Sequence, residues 1–191
     1  MAYLGYVARP YMIKTNECLW RRDMYNENNK DKADKLEGVK ARIDYKSVSP
    51  GFYNAMLGFE KYLAKSKLEE GLMDLVKIRA SQINGCAWCL DMHTKDAIAS
   101  GESPQRLFLL DTWEESPQFT KREKAALKWT EAVTLVTTGH VDDETFEEIR
   151  KEFNDLEIVE LTAAVIAINA WNRANIAFRT VPGNYISQRR R

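Results

Sequence analysis

The sequence predicts an all-α protein, a single helical domain of about seven helices. Apolar residues recur three or four positions apart along most of the chain, whereas the apolar–polar alternation of a half-buried strand is almost absent. Proline, glycine and capping residues end these periodic segments at short intervals. A chain of 191 residues can form one domain with a substantial core, and no internal linker divides it.

Three helices are predicted in the first half of the domain, at roughly 50–65, 69–84 and 86–100. The pair Ser49-Pro50 is typical of a helix start. Asn84-Gly85 separates the second helix from the third, because glycine lowers helix propensity and asparagine can cap a new turn. Gly101 is the residue type favoured just past a helix end.

Four further helices are predicted in the second half, the first a short one from Ser103-Pro104. Thr120 and Glu123 form a capping box ahead of AALKWTEAVTLVTT, a helix that Gly139-His140 should end. Asp142 or Asp143 then caps ETFEEIRKEF. The last helix, about 156–179, is apolar over much of its surface, so it should be buried on most sides, either centrally or against another subunit.

The two chain ends are expected to lie outside this domain, which we place at 38–183. Residues 1–37 include the polar run RRDMYNENNKDKADK, which is typical of a mobile arm or a surface helix. Cys18, in this arm, receives no role. Residues 184–191 form a basic C-terminal tail. We interpret its last three residues, RRR, as solvated.

Charge and hydropathy limit the kinds of partner. The chain has 28 basic and 28 acidic residues, so no global field favours nucleic acid or an anionic membrane. Its longest apolar run, LTAAVIAI at 161–168, is shorter than the roughly 18 residues that span a bilayer. The N-terminus lacks signal-peptide features, and three cysteines are too few for a secreted disulfide scaffold. We therefore expect a soluble cytoplasmic protein.

The segment NGCAWCLDMH, residues 84–93, holds the strongest candidates for chemistry. On a helix, Cys86, Cys89 and His93 share one face, since successive residues are about 100° apart. The cysteines are one turn apart, close enough for a disulfide if the backbone permits. His93 follows Cys89 by four residues and could accept its thiol proton. Cys86 should lie in the first turn, where free N–H groups and the helix dipole stabilise a thiolate.

Two other interpretations of this segment stay open on the residues alone. Buried cysteine is often inert packing, and an isolated C-x-x-C carries little weight. A zinc site would need Cys86, Cys89, His93 and the distant His140 as its four ligands. Structural zinc sites usually bring their ligands in two close-spaced pairs, and the second pair is missing here. We expect no metal and interpret His140 as a surface loop residue.

Two other groups of residues have structural interpretations. Trp88 lies between the cysteines in sequence, and core packing is the preferred role over contact with a substrate. The run NAWNR at 169–173 puts polar side chains on an otherwise apolar helix. We predict that they form buried hydrogen bonds at a contact between helices or subunits.

The segment DLVKIRASQINGCAWCLDMHTKDA, residues 74–97, resembles the core of the alkylhydroperoxidase D-like, carboxymuconolactone decarboxylase superfamily. Redox members of this superfamily carry an acidic residue followed by C-x-x-C-x-x-x-H. Residues 39–63 and 161–183 resemble the usual start and end, so the resemblance covers about three-quarters of the chain. It implies the alkylhydroperoxidase D-like fold and assembly into homodimers, homotrimers or homohexamers.

The resemblance also implies a thiol-dependent peroxidase that needs no cofactor. Cys89 would attack the peroxide and become a sulfenic acid, and Cys86 would resolve it to a disulfide. His93 would be the base or part of the proton relay. Asp74 occupies the acidic position, where the family more usually has glutamate, and would relay protons to the thiols, although its reach is shorter by one methylene. The implied partners are a hydroperoxide and a dithiol reductant, or a lipoyl or thioredoxin-like protein.

Two physical arguments disagree about which thiol attacks. The helix dipole favours Cys86, whereas the adjacent imidazole favours Cys89. We choose Cys89, because attack on a peroxide releases a hydroxide-like group that needs a proton donor nearby. Two alternatives to the peroxidase remain: a lactone decarboxylase, a branch of the superfamily that does not depend on a C-x-x-C pair, and a thiol redox sensor without turnover.

Overall fold

The computed structural model describes residues 39–189, in which the secondary structure is entirely helical. The predicted arm at 1–37 and its Cys18 lie outside this range, as do the last two arginines. Nine α-helices and one 3₁₀ turn at Leu110–Thr112 occur in the described residues: α1 (Tyr45–Val48), α2 (Pro50–Leu63), α3 (Glu70–Asn84), α4 (Ala87–Ala99), α5 (Pro104–Phe108), α6 (Lys121–Thr134), α7 (Val136–Gly139), α8 (Asp143–Arg150) and α9 (Asp155–Phe178).

The all-α prediction is confirmed, and seven of the nine described helices correspond to predicted ones. The two extra helices, α1 and α7, have four residues each. The predicted helix after Thr120 is divided, since α6 ends at Thr134 and α7 begins at Val136. The break falls in the run AVTLVTT, where β-branched side chains lower helix propensity.

Two of the predicted capping signals are present at the helix starts, whereas Cys86 rather than Asn84 caps α4. Both hydrogen bonds of the predicted Thr120–Glu123 capping box are present, and Asp142, rather than Asp143, caps α8 through the N–H of Thr145. A second capping box, Asn154 with Glu157, begins α9. Each depends on residues three apart, so each forms as soon as the first helical turn does.

The core lies where α3 packs against α4, α6 and α9. Its largest fully buried side chains come from these helices and the segments beside them: Leu75, Ile78, Leu110, Leu127, Ile149, Leu161 and Ile168. Burying an aliphatic side chain of this size contributes about 1.5–3 kcal/mol. The packing of α3 on α4 and α9 fixes the positions of the two cysteines.

The expectation that α9 is buried on most sides is only partly met by the described residues. Helix α9 contacts α2, α3, α4 and α6, yet Leu156, Val159, Ile166 and Ile176 remain exposed. Within residues 39–189, no helix combines the length and the hydropathy that spanning a bilayer requires.

The interpretation of the terminal RRR as solvated is wrong for Arg189, the one of these three arginines that the structure describes. Tyr185 and Ser187 donate hydrogen bonds to Asp96 on α4, and Arg189 donates one to Asp74 on α3. Both carboxylates are buried. The sequence showed a basic end but not the acidic groups that it meets, because those groups lie about 90 to 115 residues earlier in the chain.

Candidate redox site

A left-handed turn at Gly85 brings the first cysteine to the start of α4. Gly85 has φ of 68° and follows the last residue of α3, a conformation that glycine adopts at little steric cost. The N–H of Cys86 then bonds to the carbonyl of Ser81 at 3.0 Å. Cys86 is the N-cap of α4 and accepts the N–H of Cys89 at its sulfur, so it precedes the first turn in which we expected it.

Cys86 and Cys89 are joined by a disulfide, with 5.4 Å between their Cα atoms. Each cysteine is only 1% exposed. They lie in a small buried cluster with Ala80 of α3 and Ile168 of α9, and Trp88 covers the cluster from one side. The two cysteines therefore form the disulfide that their spacing allowed. Bulk solvent has almost no access to it.

A cavity of about 540 Å³ reaches this disulfide from one side only. Cys89 and His93 line the cavity, whereas Cys86 and Asp74 do not. A molecule in the cavity therefore meets the second sulfur and the imidazole. The remaining lining residues come from α1, α2, α3, α4, α9 and the C-terminal segment: Tyr45, Lys46, Tyr53, Leu57, Glu60, Lys77, Trp88, Met92, Asp96, Trp171, Asn175, Tyr185 and Arg189.

Five aromatic side chains form much of the cavity wall. Trp88 packs edge-to-face on Tyr185, with 6.3 Å between the ring centroids, and Trp171 donates its indole N–H to Glu60 at 3.0 Å. Lys77 pairs with the same carboxylate at 3.5 Å. We predicted core packing for Trp88. It does contact the buried cysteine cluster, but it also faces the cavity, so the prediction was incomplete.

The imidazole of His93 is neutral at physiological pH. His93 is 7% exposed, and this burial, together with the positive charges of Lys77 and Arg189, lowers its pKa to about 3. Its Nδ1 is buried and has no hydrogen-bond partner among residues 39–189. The neutral imidazole has the charge state that a base requires, and its low pKa makes it a weaker base than a solvated histidine.

Asp74 is 2% exposed, on α3. One of its oxygens accepts a 2.6 Å hydrogen bond from Arg189, and the other is buried without a partner among the described residues. Burial raises the pKa of this carboxyl, and Arg189 partly opposes that shift. Within the described part of the chain, no hydrogen bond joins Asp74 to His93 or to the cysteines, so the predicted proton relay would need a path other than a direct hydrogen bond.

Asn175 contacts the second sulfur directly, a role that its position on the last helix did not predict. Its side-chain N–H donates to the sulfur of Cys89 at 3.6 Å. Its oxygen accepts from the hydroxyls of Tyr45 at 3.2 Å and Thr180 at 2.7 Å. These two bonds fix which end of the amide faces Cys89. The sequence did contain one indication of this contact. Asn175 is the third asparagine of α9 and lies one turn after Asn172.

The predicted buried hydrogen bonds of NAWNR are confirmed at a contact between helices. Asn84, at the end of α3, donates to the side-chain oxygens of both Asn169 and Asn172 at 2.9 Å. Asn172 in turn donates to Ser81, and Asn169 to Thr134. These bonds tie α9 to the residues just before Gly85 and so hold the start of α4 in place.

The proposed fourth zinc ligand is not part of this site. His140 is exposed, with φ of 58°, in the loop between α7 and α8, and it does not line the cavity. Within residues 39–189, no group of three or more histidine, cysteine or acidic side chains is arranged to hold a metal ion.

Comparison with known proteins places this site in a family. The sequence model of the carboxymuconolactone decarboxylase family matches residues 50–132, a range that includes both cysteines and His93. The uncharacterised protein YdfG of Bacillus subtilis strain 168 is 39% identical over 139 residues, which are 73% of this chain and 95% of YdfG.

Solved structures share the fold. A protein of unknown function from Agrobacterium tumefaciens, proposed to be an antioxidant defence protein AhpD, is 42% identical with a TM-score of 0.74 and covers 76% of this chain and 100% of its own. The debrominase Bmp8 in complex with 2,3,4-tribromopyrrole has a TM-score of 0.62 over 72% of this chain and 74% of its own, and its 19% identity makes this a likeness of fold alone. The chain therefore belongs to the carboxymuconolactone decarboxylase family, within the alkylhydroperoxidase D-like superfamily.

Proposed function

We propose that this protein is a thiol-dependent hydroperoxidase in which Cys89 reacts with the peroxide. The observation that carries the proposal is the cavity, which exposes Cys89 and the neutral His93 to an incoming molecule while Cys86 lies behind the reacting sulfur. A nucleophile with a base four residues away on the same helix is a favourable arrangement for thiol activation.

The reaction has three balanced steps. The Cys89 thiolate attacks one peroxide oxygen, the O–O bond breaks, and an alcohol leaves with a proton, giving a sulfenic acid at Cys89. The Cys86 thiol then attacks that sulfur, and water leaves as the disulfide forms. A dithiol reductant reduces the disulfide through a mixed disulfide and is itself oxidised to a disulfide.

His93 and Asn175 have distinct tasks in this proposal. His93 accepts the proton of the Cys89 thiol and returns it to the departing alkoxide. Because its pKa is about 3, the imidazole would hold this proton only briefly. Asn175 donates its N–H to the same sulfur, an interaction that favours the negatively charged thiolate over the neutral thiol. We assign Cys86 the resolving role.

The required partners follow from this cycle. A hydroperoxide is the oxidant, and a dithiol, carried by a small molecule or by a lipoyl or thioredoxin-like protein, is the reductant. A reducing compartment such as the cytoplasm supplies such donors. Assembly into a homo-oligomer is part of the proposal and is supported by the exposed apolar residues of α9.

The test is steady-state consumption of hydrogen peroxide and cumene hydroperoxide with dithiothreitol, dihydrolipoamide and dithiol proteins as donors. Turnover that is lost in both Cys89→Ser and Cys86→Ser supports the hydroperoxidase. Oxidation to the disulfide without turnover by any donor would favour the redox sensor. Lactone decarboxylation that persists in the double Cys→Ser variant would favour the decarboxylase, whose chemistry does not need the cysteine pair.

A further inference from the structure

We propose that residues 183–189 are a strap that determines which molecules reach Cys89, with Tyr185 as the specificity-determining residue and the pair Asp74–Arg189 as its latch. The cavity is that of the proposed hydroperoxidase, so the proposal rests on that function. Its test measures access to a thiol instead of turnover, and the two proposals can therefore fail separately.

The strap begins with backbone contacts to α4. The N–H of Gly183 donates to Asp91 at 3.0 Å. The ammonium of Lys95 donates to the carbonyls of Gly183 at 3.3 Å and of Tyr185 at 3.0 Å. Asp91 and Lys95 also pair with each other at 2.7 Å. Two side chains one turn apart on α4 therefore hold the start of the strap through its main chain.

The middle of the strap satisfies a buried carboxylate. Asp96 accepts the hydroxyl of Tyr185 at 2.8 and 3.1 Å and the hydroxyl of Ser187 at 2.6 Å. Burial and this carboxylate raise the pKa of Tyr185 to about 12, so the phenol keeps the proton that it donates. Because a buried carboxylate without partners is costly, Asp96 favours the closed position of the strap.

The end of the strap pairs with a second buried carboxylate. Arg189 donates to Asp74 at 2.6 Å and also pairs with Glu70 at 3.1 Å, both on α3. Asp74 is almost fully buried, whereas the Arg189 side chain is 30% exposed. If Arg189 moved away, Asp74 would lose its charge partner, and this cost holds the latch closed.

The strap contributes to the wall around the reacting sulfur. Tyr185 and Arg189 line the same cavity as Cys89 and His93, and the Tyr185 ring packs edge-to-face on Trp88. The anchors Asp91, Lys95 and Asp96 lie on α4, the helix that also carries the redox motif. The latch residue Asp74 lies on α3. Loss of the Tyr185 ring, or release of Arg189, should enlarge the opening above Cys89 without altering the sulfur itself.

The test uses a Cys18→Ser/Cys86→Ser background, in which Cys89 is the single thiol. Two reagents with the same reacting group and different size, iodoacetamide and its N-phenyl derivative iodoacetanilide, alkylate Cys89, and the ratio of their rate constants is measured. Any change in the reactivity of the sulfur cancels in this ratio. Tyr185→Ala and Arg189→Gln should raise the iodoacetanilide-to-iodoacetamide ratio by on the order of tenfold.

Two further variants test the latch itself. Asp74→Asn should raise the ratio as Arg189→Gln does. In the double variant the ratio should be close to that of either single variant, because both substitutions break the same interaction. Arg189→Lys keeps the charge and should recover part of the native ratio. Ile186→Ala is the matched control, because Ile186 belongs to the strap but is 72% exposed and does not line the cavity.

An unchanged ratio in folded Tyr185→Ala and Arg189→Gln proteins, with folding checked by circular dichroism, would overturn the strap. Additive effects of Asp74→Asn and Arg189→Gln would overturn the latch. A shifted ratio in a protein that consumes no peroxide would leave the strap intact and reject the hydroperoxidase. Peroxide turnover with an unchanged ratio would reject the strap and leave the hydroperoxidase supported.

Discussion

The guanidinium of Arg189 donates a 2.6 Å hydrogen bond to the buried carboxylate of Asp74, which lies 115 residues earlier in the chain. Arg189 also lines the cavity with Cys89, and its positive charge is one of those that lower the pKa of His93. Asp74, the acidic residue that the resemblance associated with proton transfer, is therefore neutralised by the C-terminal segment in this protein.

Asp74→Asn should have a small effect on oxidation of Cys89 by hydrogen peroxide. Asp74 makes no hydrogen bond to Cys89 or His93 in the described part of the chain, so we expect the rate to fall by less than about tenfold, whereas general acid–base groups typically contribute roughly 10²–10⁴-fold. Stopped-flow kinetics in the Cys86→Ser background measures this rate. A loss in the larger range, with Asp74→Glu active, would make Asp74 a proton relay.

The two cysteines should respond differently to a short pulse of peroxide. Cys86→Ser should form a sulfenic acid at Cys89 that dimedone traps, because the resolving thiol is missing. Cys89→Ser should form no such adduct at Cys86, which does not line the cavity. Mass spectrometry of the labelled peptides distinguishes the positions, and dimedone at Cys86 would show that the helix dipole determines the attacking thiol.

His93 should make stability depend on pH. Its pKa is about 3 in the folded protein, whereas the ordinary value for a solvated histidine is 6.5, so between these values the unfolded chain binds one more proton. Stability should therefore fall as the pH is lowered from about 6.5 towards 3, with a contribution of up to about 1.4 kcal/mol per pH unit.

Urea unfolding at a series of pH values measures this slope. His93→Gln removes the titrating group and should flatten it across the same interval. His140→Gln, at an exposed histidine, is the matched control, and the native slope should remain in it because His93 is intact. An equal slope in the native and His93→Gln proteins would contradict a buried neutral imidazole.

Asn175→Leu should slow the reaction of Cys89 with peroxide. The substitution removes the N–H that contacts the sulfur, and hydrogen bonds to charged groups contribute about 1.5–3 kcal/mol, or roughly 10–100-fold. The rate is measured in the Cys86→Ser background. Thr180→Val is the control, because it removes a donor to the amide oxygen of Asn175 and keeps the amide N–H. An equal loss of rate in both variants would show that Asn175 has no direct role.

The exposed apolar face of α9 should bind a second copy of the chain. Leu156, Val159 and Ile166 are exposed and lie on one side of the helix at its 3.6-residue period, and such a stripe is typical of an interface. Val159→Asp/Ile166→Asp should lower the sedimentation coefficient to that of a monomer. Phe108→Asp changes an exposed apolar residue outside α9 and should not. A native protein that sediments as a folded monomer at micromolar concentration would refute the oligomer.

The sequence by itself determined the features that depend on residues a few positions apart. The Thr120–Glu123 capping box consists of local hydrogen bonds, and the sequence limited the cap of α8 to Asp142 or Asp143, of which the structure shows Asp142. The three-residue spacing of Cys86 and Cys89 indicated that a disulfide could join them. The buried hydrogen bonds of the polar run on α9 could also be predicted, because a buried amide on an apolar helix needs a hydrogen-bond partner.

Only the tertiary structure decided what surrounds Cys89. The cavity is formed by side chains of α1, α2, α3, α4, α9 and the C-terminal segment, and Asn175 reaches Cys89 across 86 residues of sequence. The basic end of the chain was interpreted as solvated because charged residues usually are. Its position depends on the burial of Asp74 and Asp96, and burial is a property of the packed helices that no local pattern of residues contains.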